Sequence, residues 1–317
     1  MSLGANIKKR RYELNLSQQE LADLMGYKTR SSIAKIESGE NDVTQSKLMR
    51  FAEVLDTSVE ELITGHKTYY PEGVQAELLS DAQRTNKNAV IVLAGGRSVR
   101  NQQSIPNQFI NVLGKPILVY CLEAYQNHPL IDDIYVVCLK GWESIVASYV
   151  KQYGISKMRM IILSGSSGVL SARNGITAIT DRYLPDDCVI IQESTRPMIN
   201  ADMISKLILS CNEKGTATVC RSMKEHIQFS VNNGKTEYLD RNSVVDLQSP
   251  EAYRFSNILE LFAAAHNKNH PLSQSCCTML MYELGFEINF IESSNDNIKI
   301  IRQEDIAVFA SYAKNMY

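Results

Sequence analysis

The feature that most constrains this chain is a short apolar run that ends at a pair of glycines. Residues Ala89 to Leu93 are rich in Val and Ile and are bounded by polar residues, which predicts a buried strand. Gly95 and Gly96 allow the backbone to turn tightly and to approach a ligand, because neither carries a Cβ atom. A strand that opens into such a turn can aim backbone N–H groups at a phosphate, with Arg97 and Arg100 as charge partners. Two adjacent glycines are also common in plain turns, and neither GxGxxG nor the lysine-terminated P-loop pattern is present.

Length and composition limit what surrounds this strand. The chain has 317 residues, enough for two domains, and a formal net charge of −2, which excludes an overall basic protein but not a local basic face. Its seven cysteines are odd in number and lack zinc or thioredoxin spacing, so we expect buried free thiols in a reducing cytosol. No apolar run has the length of a membrane span or the pattern of a signal peptide. We therefore expect a cytoplasmic protein without a membrane partner.

The first 65 residues carry the start and stop signals of a small set of helices. Ser17-Gln-Gln-Glu20 is a capping box that opens one helix, and Gly26 closes it. Thr29 is expected to cap a second, short helix from Arg30 to Ser38. Two further helices are predicted, one from Thr44 through Leu55 and one behind a second capping box, Ser58-Val-Glu-Glu61.

The second helix suits the major groove of DNA. Ile33 and Ile36 face inward, and small polar and basic side chains point outward, so the helix can enter the groove closely and read it by hydrogen bonds. The segment resembles the Cro/C1-type (XRE-like) helix-turn-helix family in LSQQELADLMGYKTRSSIAKIESG and LMRFAEVLDTSVEELI, with an extra residue in the turn. Use of the same module for protein contacts only is the alternative. The resemblance implies DNA contacts by Lys28, Arg30, Ser31, Ser32 and Lys35.

A polar segment, residues 66–88, is predicted to be a linker, which gives domains at 1–65 and 89–317. From residue 89 onward, short strand-like runs alternate with helical ones, and this alternation favours a mostly parallel α/β sheet with helices on both faces. The predicted strands are Ile134–Leu139, Met160–Leu163, Cys188–Ile191, Thr216–Cys220 and Glu287–Ile291, and the clearest helices are Lys115–Gln126 and Ala201–Asn212.

One segment breaks the alternation and predicts a protruding β-arm. Phe229-Ser-Val and Thr236-Glu-Tyr-Leu flank Asn232-Asn-Gly234, a pattern typical of a hairpin with an Asn-Gly turn. Projecting hairpins of this kind are natural dimer arms. We therefore expect a homodimer.

Short polar clusters accompany the predicted strands, and we expect them to meet in one pocket, because ligands of open α/β sheets collect beyond the carboxyl ends of the strands. The charged side chains that we assign to this pocket are mostly cationic, and Glu193 is the one carboxylate among them; the cations are Arg100, Arg196, Arg241 and Lys299. Such a set suits polyanionic substrates and a divalent cation, since nucleotidyl transfer needs charge neutralised on the transferring phosphate and a metal held by a carboxylate. The clusters are Ser164-Gly-Ser-Ser-Gly168 with Ser171, Gln192-Glu-Ser-Thr-Arg-Pro197, Asp240-Arg-Asn242, Gln248-Ser-Pro250 and Asn297-Ile-Lys-Ile300.

From about residue 88 to residue 312 the chain resembles the cytidylyltransferases that act on polyol phosphates, the methylerythritol-phosphate (IspD-like) and ribitol-phosphate (TarI-like) enzymes. The matching stretches are LAGGRSVR, PNQF, GKPILVYCLEAY, SARNGI, QESTRP, DRN, QSPEAYRF and NDNIKI. The resemblance implies a Rossmann-like fold that dimerises through its β-arm. It also implies a reaction that joins CTP to a sugar-alcohol phosphate with Mg²⁺ and releases pyrophosphate.

The resemblance further implies a role for each matching residue. Nucleotide binding is expected from Ala94, Gly95, Gly96, Arg100, Asn107, Gly165 and Ser171, and catalysis from Arg100 and Lys299. The polyol phosphate is expected at Arg196, Arg241, Ser249 and Ser275, with Arg241 reaching across the dimer. Glu193 stands where the family keeps a metal-facing aspartate, so it is the expected Mg²⁺ ligand.

The sequence departs from the family pattern at several of these positions. Asn107 takes the place of the lysine in the Pro-Lys-Gln motif, Ser98 replaces a loop glycine, and Cys276-Cys277 replace a pair of acidic residues. Loss of a lysine aimed at developing phosphate charge costs a few kcal/mol of transition-state stabilisation, about two to three orders of magnitude in rate, while ground-state binding survives. Glu193 in place of aspartate shifts the carboxylate by one methylene. Arg97 is a candidate to compensate for Asn107.

Two further patterns have structural interpretations. His266 and His270 are spaced as on one helix face but lack an evident third ligand, which favours a helix end over a zinc site. Adjacent cysteines seldom bridge without strain, so Cys276 and Cys277 are expected to be buried thiols.

These observations predict a DNA-binding transcriptional regulator fused to a domain that binds CTP and a polyol phosphate, with weakened catalysis. A dimer would supply two reading heads for a palindromic operator, and a ligand that binds two arrangements unequally would shift their spacing. The alternative is an active CTP:polyol-phosphate cytidylyltransferase that also binds DNA.

Overall fold

The structure is a computed structural model that describes residues 3–27, 29–41, 43–57, 62, 86–97, 105–293 and 296–316. The chain separates into two compact units, Met1–Tyr69 and Tyr70–Tyr317. Most of the predicted linker and the second capping box at residues 58–61 lie outside the described residues. Among those described, no helix has the length and apolar character needed to cross a membrane.

The smaller unit is helical, as predicted. Its helices are α1 (Leu3–Glu13), α2 (Gln18–Met25), α3 (Arg30–Ser38) and α4 (Gln45–Val54). Both halves of the capping box at Ser17 and Glu20 are formed, and Gly26 ends α2 in the left-handed conformation with φ +76°. Thr29 occupies the position before α3, but the predicted side-chain cap is absent, because its hydroxyl lies 2.9 Å from the Ser31 hydroxyl.

A buried ion pair fixes α3 against α1. The Nε of Arg11 donates to Oε1 of Glu37 at 2.6 Å, and its Nη2 donates to Oε2 at 3.0 Å. Gln18 of α2 donates to the same carboxylate at 2.9 Å. Around this pair the helices share one apolar core, in which Ile7, Leu21, Ile33, Phe51 and Leu55 are fully buried.

The larger unit is built on a seven-stranded sheet. Its strands are β1 (Asn88–Ala94), β4 (Asp133–Cys138), β5 (Met158–Leu163), β6 (Cys188–Glu193), β7 (Thr216–Ser222), β10 (Val245–Arg254) and β11 (Phe290–Glu292). Their order across the sheet is β11-β7-β10-β6-β1-β4-β5. Pairs β1–β4, β1–β6, β4–β5 and β7–β11 are parallel, and only β10 runs antiparallel to its neighbours. The mostly parallel α/β sheet that the alternation predicted is therefore confirmed.

Helices cover both faces of this sheet because successive side chains of each strand point to opposite faces. In β1, Val90 and Val92 pack in the cluster that includes α5, α6 and α8, whereas Ile91 packs in the cluster of α7, α9 and α10. These helices are α5 (Ile117–Gln126), α6 (Glu143–Gln152), α7 (Gly168–Ala178), α8 (Ala201–Lys214), α9 (Phe255–Asn267) and α10 (Cys277–Leu284). The C-terminal helix α11 (Gln303–Met316) joins a small cluster with the two-residue strand β2 (Asn111–Val112), which pairs with β3 (Lys115–Pro116).

The predicted hairpin is present as β8 (Gln228–Asn232) and β9 (Lys235–Leu239). Asn233 and Gly234 form its turn with φ of +49° and +79°, as a type I′ turn requires. Two other predictions need correction. The segment from Gln248 to Pro250 was expected in a loop but lies inside β10, at the point where the pairing of β10 with β7 is interrupted. The last strand begins later than predicted, at Phe290.

Candidate functional site

The carboxyl ends of four parallel strands open onto one cavity of about 870 Å³. Gly95 to Arg97 follow β1, Leu139 and Lys140 follow β4, Ser164 to Ser167 follow β5, and Glu193 to Thr195 end β6. These residues reach one place because parallel strands present their carboxyl ends at the same edge of the sheet. The sequence anticipated the convergence but missed Lys140, which has no motif around it.

Gly95 and Gly96 differ in their surroundings. A Cβ atom at Gly95 would lie 2.2 Å from the Cβ of Ser164, so only glycine allows the ends of β1 and β5 to approach this closely. A Cβ atom at Gly96 would meet none of the described residues within 4 Å. Gln108 holds the turn in place, because its side-chain amide donates to the carbonyls of Ala94 at 2.8 Å and Gly96 at 3.0 Å. Sequence reasoning missed Gln108, although a polar residue within the matched PNQF stretch was the available signal.

A second part of the cavity wall is formed by the segment after β5 and the first turn of α7. Ser167 caps α7 by accepting from the Leu170 amide at 3.0 Å. The Ser171 hydroxyl accepts from the Gly165 amide at 3.1 Å and donates to the Ser167 carbonyl at 2.8 Å. The first turn of α7 thus faces the cavity with its N-terminal, partly positive end. A Cβ atom at Gly168 would lie 1.8 Å from the Ser275 carbonyl oxygen, so glycine permits this loop to pack on the helix.

A carboxylate between two cations lies at the junction of this cavity with a smaller one. The Nζ of Lys299 lies 2.5 Å from Oε1 of Glu193, and the Nε of Arg196 lies 3.2 Å from its Oε2. Arg196 also donates to the Asn297 carbonyl at 2.8 Å. Glu193 and Lys299 line both cavities, whereas Arg196 lines the smaller one. Two residues far apart in sequence, Glu193 and Lys299, are therefore in direct contact, as the single-pocket hypothesis required.

The smaller cavity has a volume of about 110 Å³ and a lining of both polar and apolar residues. The Ser249 hydroxyl accepts from the Glu193 amide at 2.8 Å and so ties β10 to the end of β6. Asn297 ties the Lys299 segment to the same wall by donating to Gln248 Oε1 at 3.0 Å and to the Ser249 carbonyl at 2.9 Å. The polar residues that line this cavity are Glu193, Arg196, Gln248, Ser249, Glu251, Ser275, Cys276 and Lys299.

Glu251 is a buried carboxyl in the smaller cavity, with 3% of its surface exposed. Burial raises its pKa to about 7, although hydrogen bonds from Tyr253 and Thr278 act in the opposite direction. Burial also raises the pKa of the neighbouring Cys276 thiol to about 12. The predicted burial is correct for Cys277, whereas Cys276 is partly exposed, and all seven cysteines are free. Sequence reasoning missed Glu251.

Asn107 is buried beneath the larger cavity. Its side-chain amide nitrogen donates to the carbonyls of Ile300 and Ile301, each at 3.2 Å. These contacts join the PNQF segment to the segment that carries Lys299. A neutral side chain that holds the backbone therefore stands at the position for which the resemblance implied a lysine.

Most of the other predicted site residues line one of the two cavities. Gly95, Gly96, Asn107, Gly165, Ser171 and Lys299 line the larger cavity, and Arg196 and Ser249 line the smaller one. Ser275 lines both. Ala94 is fully buried at the end of β1, and Arg241 is exposed beyond the end of β9, so neither lines a cavity in one chain. Ser98 and Arg100 lie outside the described residues.

The two histidines singled out in the sequence, His266 and His270, are not part of a metal cluster in the described part of the chain. Within the described ranges, no group of three or more His, Cys, Asp or Glu side chains is arranged around a metal position. His266 lies in the last turn of α9, as a helix end requires, and His270 pairs with Glu283 at 2.8 Å.

The predicted DNA-reading residues lie on α3. Arg30, Ser31 and Lys35 are exposed and Ser32 is half-buried, while Ile33 and Ile36 of the same helix are buried. Lys28 lies outside the described residues. The helix therefore presents small polar and basic side chains on its free face.

Comparison with known proteins identifies both units. A family model for 2-C-methyl-D-erythritol 4-phosphate cytidylyltransferase (IspD) matches residues 88–315. The chain belongs to the IspD family. A helix-turn-helix family model matches residues 7–62. The chain thus joins a helix-turn-helix domain to an IspD-family cytidylyltransferase domain, and its fold is the Rossmann-like sheet with a β-arm that the sequence predicted.

Relatives of the IspD-family domain differ in their substrates. A ribitol-5-phosphate cytidylyltransferase from Lacticaseibacillus paracasei is 33% identical over 71% of this chain and 97% of its own length. A 2-C-methyl-D-erythritol 4-phosphate cytidylyltransferase from Clostridium botulinum is 30% identical over 70% of this chain and 95% of its own. The crystal structure of 4-diphosphocytidyl-2C-methyl-D-erythritol synthase from Anaerococcus prevotii shares the fold, with a TM-score of 0.61, 18% identity, and coverage of 72% of this chain and 99% of its own.

Proposed function

We propose that this protein is a DNA-binding transcriptional regulator whose IspD-family domain binds CTP and a polyol phosphate and transfers the cytidylyl group slowly. The binding part rests on the two adjoining cavities and the Glu193, Arg196 and Lys299 cluster between them. The slow transfer rests on a single observation, the neutral and backbone-bound side chain of Asn107.

The larger cavity suits the nucleotide. Phosphate oxygens need N–H donors and positive charge, which the glycine corner, the N-terminus of α7, Arg97 and Lys140 supply around this space. No described residue occupies the position where a Gly96 Cβ atom would lie, which favours the approach of a phosphate to the backbone there. CTP would place its α-phosphate at the junction with the smaller cavity.

The smaller cavity suits the polyol phosphate. Its anionic end would lie near Arg196 and Lys299, and its hydroxyl groups would face the polar wall that includes Ser249 and Ser275. In the reaction, a phosphate oxygen of the polyol phosphate attacks the α-phosphorus of CTP. The bond from that phosphorus to the bridging oxygen breaks, and pyrophosphate leaves with the electron pair. Lys299 lines both cavities, so its ammonium can stabilise charge on the transferring phosphate.

Mg²⁺ fits Glu193, because Mg²⁺ is commonly held by one or two carboxylates together with substrate phosphates. Glu193 lines both cavities and can reach a metal shared with the phosphates. Bound there, the ion would neutralise phosphate charge during transfer. Glu193 would exchange its ion pairs with Arg196 and Lys299 for that contact, which frees both cations for phosphate.

The contacts of Asn107 favour weakened cytidylyl transfer over full activity. A lysine at this position would bring a positive charge to the wall of the nucleotide cavity, whereas the Asn107 amide is held by two carbonyls. Loss of one well-placed donor to the transition state costs about 3 kcal/mol, or 100-fold in rate. Binding of both substrates depends on other groups and would persist.

The test is pyrophosphate release from CTP and Mg²⁺ with ribitol 5-phosphate or 2-C-methyl-D-erythritol 4-phosphate, beside calorimetric binding of the same ligands. We expect binding with slow turnover, and we expect Asn107→Lys to raise the turnover number by about tenfold or more. Asn127→Lys adds the same charge at an exposed helix end outside both cavities and should leave the turnover number unchanged. Turnover at about 10 s⁻¹, the ordinary enzyme rate, in the unchanged chain would refute the weakened-catalysis proposal.

A fully active cytidylyltransferase that also binds DNA is the second candidate. The 33% identity to a ribitol-5-phosphate cytidylyltransferase over 97% of that protein favours it. The contact between Glu193 and Lys299 favours it as well, since it brings the expected metal ligand and an expected catalytic cation together.

The hairpin arm supports a homodimer. Phe229, Val231 and Tyr238 lie on one face of the arm and are 56%, 68% and 53% exposed, whereas Ser230 and Glu237 lie on the opposite face. Exposed apolar side chains on one face of a hairpin suit a second copy of the chain. Two copies would present two α3 helices to a palindromic operator.

A further inference from the structure

Glu251 is a chemically distinctive group that the proposed reaction does not use. It lies in β10, pairs in register with Ile191 of β6 and Thr218 of β7, and is almost fully buried. The residue is nevertheless part of the lining of the smaller cavity, together with Ser249 and Ser275. Burial of a carboxyl costs free energy, so a position that served only to fill space would be better occupied by an apolar side chain.

The fold holds this carboxyl group in a fixed orientation. The Tyr253 hydroxyl donates to its Oε2 at 2.5 Å, and the Thr278 amide donates to the same oxygen at 3.1 Å. The Cys276 thiol is a further hydrogen-bond partner of the group. Two donors on one oxygen leave the carboxyl little rotational freedom, which is the condition for selective recognition of a small ligand.

The size and lining of the smaller cavity determine what such a group would recognise. A volume of about 110 Å³ corresponds to on the order of four water molecules, which suits a small polar molecule and not a nucleotide. Arg196 and Lys299 attract its anionic end, so the remaining lining must accommodate its uncharged part. A hydroxyl group both donates and accepts hydrogen bonds, and a carboxyl group can meet it in either role.

We infer that the Glu251 carboxyl hydrogen-bonds a hydroxyl group of the polyol phosphate and thereby determines which polyol phosphates the smaller cavity accepts. This inference rests on the proposed function of the cavity. It assigns to Glu251 a specificity role in addition to its structural contacts with Tyr253 and Thr278. A site that hydrogen-bonds a substrate hydroxyl strongly rejects an analogue without it, because the buried partner is then left unsatisfied.

The charge of Glu251 gives this role a pH dependence. With a pKa of about 7, the carboxyl is largely protonated at pH 6 and largely ionised at pH 8.5. The ionised form would repel the phosphate of the ligand, so affinity should fall as the pH rises through about 7. The titratable and charged groups that face Glu251 are Tyr253 on β10, Glu193 at the end of β6, Cys276 and Cys277 at the start of α10, and Arg196 and Lys299 across the cavity.

Calorimetry of the full chain with ribitol 5-phosphate tests the inference without requiring turnover. We expect Glu251→Ala to raise the Kd for ribitol 5-phosphate at least tenfold at pH 6 and to leave the Kd for CTP within twofold. Glu251→Gln keeps a hydrogen-bonding group of the same size and should bind within about threefold of the unchanged chain at pH 6. Glycerol 3-phosphate carries the same anion on a shorter polyol, and Glu251→Ala should reduce the preference for ribitol 5-phosphate over it.

The pH profile separates recognition from a purely structural role. Between pH 6 and pH 8.5 the ratio of the Kd of the unchanged chain to the Kd of Glu251→Gln should rise about tenfold. Titration of the ligand itself affects both Kd values equally and therefore does not change their ratio. Glu260→Gln, an exposed change on α9, is the matched control and should follow the unchanged chain.

Two results would overturn the inference. An unchanged Kd and unchanged preference in Glu251→Ala, with normal CTP binding, would reduce Glu251 to a structural residue while the proposed function stands. Failure of the unchanged chain to bind any polyol phosphate would instead remove the proposed function, and the inference with it.

Discussion

Replacement of Glu251 by glutamine should make the stability of the larger unit depend less on pH. Glutamine has the same shape, and its carbonyl oxygen can accept from both Tyr253 and Thr278 as the carboxyl does. It cannot ionise. The variant therefore removes one titration and leaves the hydrogen bonds of the fold in place.

The magnitude follows from the pKa. The folded chain binds the Glu251 proton with a pKa of about 7, whereas the ordinary value is 4.5, because burial disfavours the charged form. At 1.36 kcal/mol for each pH unit, the difference corresponds to about 3 kcal/mol. A raised carboxyl pKa means that the folded state retains the proton longer than the unfolded state. Stability is then full below about pH 4.5 and is lost as the pH rises to about 7.

The fluorescence of Trp142 can be used to measure the stability of the larger unit. Trp142 is the single tryptophan of the chain and stacks on Phe109 with ring centroids 4.3 Å apart, so its fluorescence reports unfolding of the larger unit alone. Urea unfolding would be followed at pH 5, 7 and 8.5 for the unchanged chain, Glu251→Gln and the exposed control Glu260→Gln. The stability gap between Glu251→Gln and the unchanged chain should widen by about 2 to 3 kcal/mol from pH 5 to pH 8.5. With ordinary urea dependence, this gap moves the midpoint by on the order of 1 M.

A gap that stays constant across this pH range would refute the reasoning, because it would mean that Glu251 titrates near its ordinary value when folded. The same widening in Glu260→Gln would also count against it. Other groups titrate over the same range, but they are common to all three proteins and cancel in the difference.

Three further predictions concern the helical unit and the arm. Arg30→Ala and Lys35→Ala should each weaken operator binding in a gel-shift titration, and each lost phosphate contact should lower the salt dependence of binding by about one unit of slope. Val231→Asp should place a charge on the apolar face of the arm and shift the protein toward monomer in analytical ultracentrifugation. Glu37→Ala leaves the Arg11 guanidinium buried without its carboxylate and should destabilise the helical unit by about 3 to 5 kcal/mol, measured by hydrogen exchange of α3 amides.

Each of these changes has a matched control. Lys206→Ala removes an exposed charge from the larger unit and should leave DNA binding unchanged. Ser230→Asp lies on the opposite face of the arm and should leave the assembly state unchanged. Glu40→Ala is an exposed change just beyond α3 and should cost little. An effect of any control equal to that of its partner would contradict the corresponding explanation.

Local sequence signals determined the elements of this protein. The capping box at Ser17, the glycine at 26 and the Asn233-Gly234 turn act within a few residues of the chain, so their outcomes depend little on tertiary context. The alternation of strand-like and helical runs determined the sheet class for the same reason. The order of motifs from the glycine corner to Lys299 was sufficient to indicate the family.

Only the tertiary structure decided which residues of the site contact one another and which are buried. Nothing near Glu251 in the sequence indicates that the residue is buried in a strand between β6 and β7 and lines a cavity, because that environment comes from strands distant in the chain. The Asn107 contacts with Ile300 and Ile301 span more than 190 residues, and the Glu193 contact with Lys299 spans 106. Burial, pKa values and ion pairs depend on what the fold brings together, and local patterns carry little information about such distant neighbours.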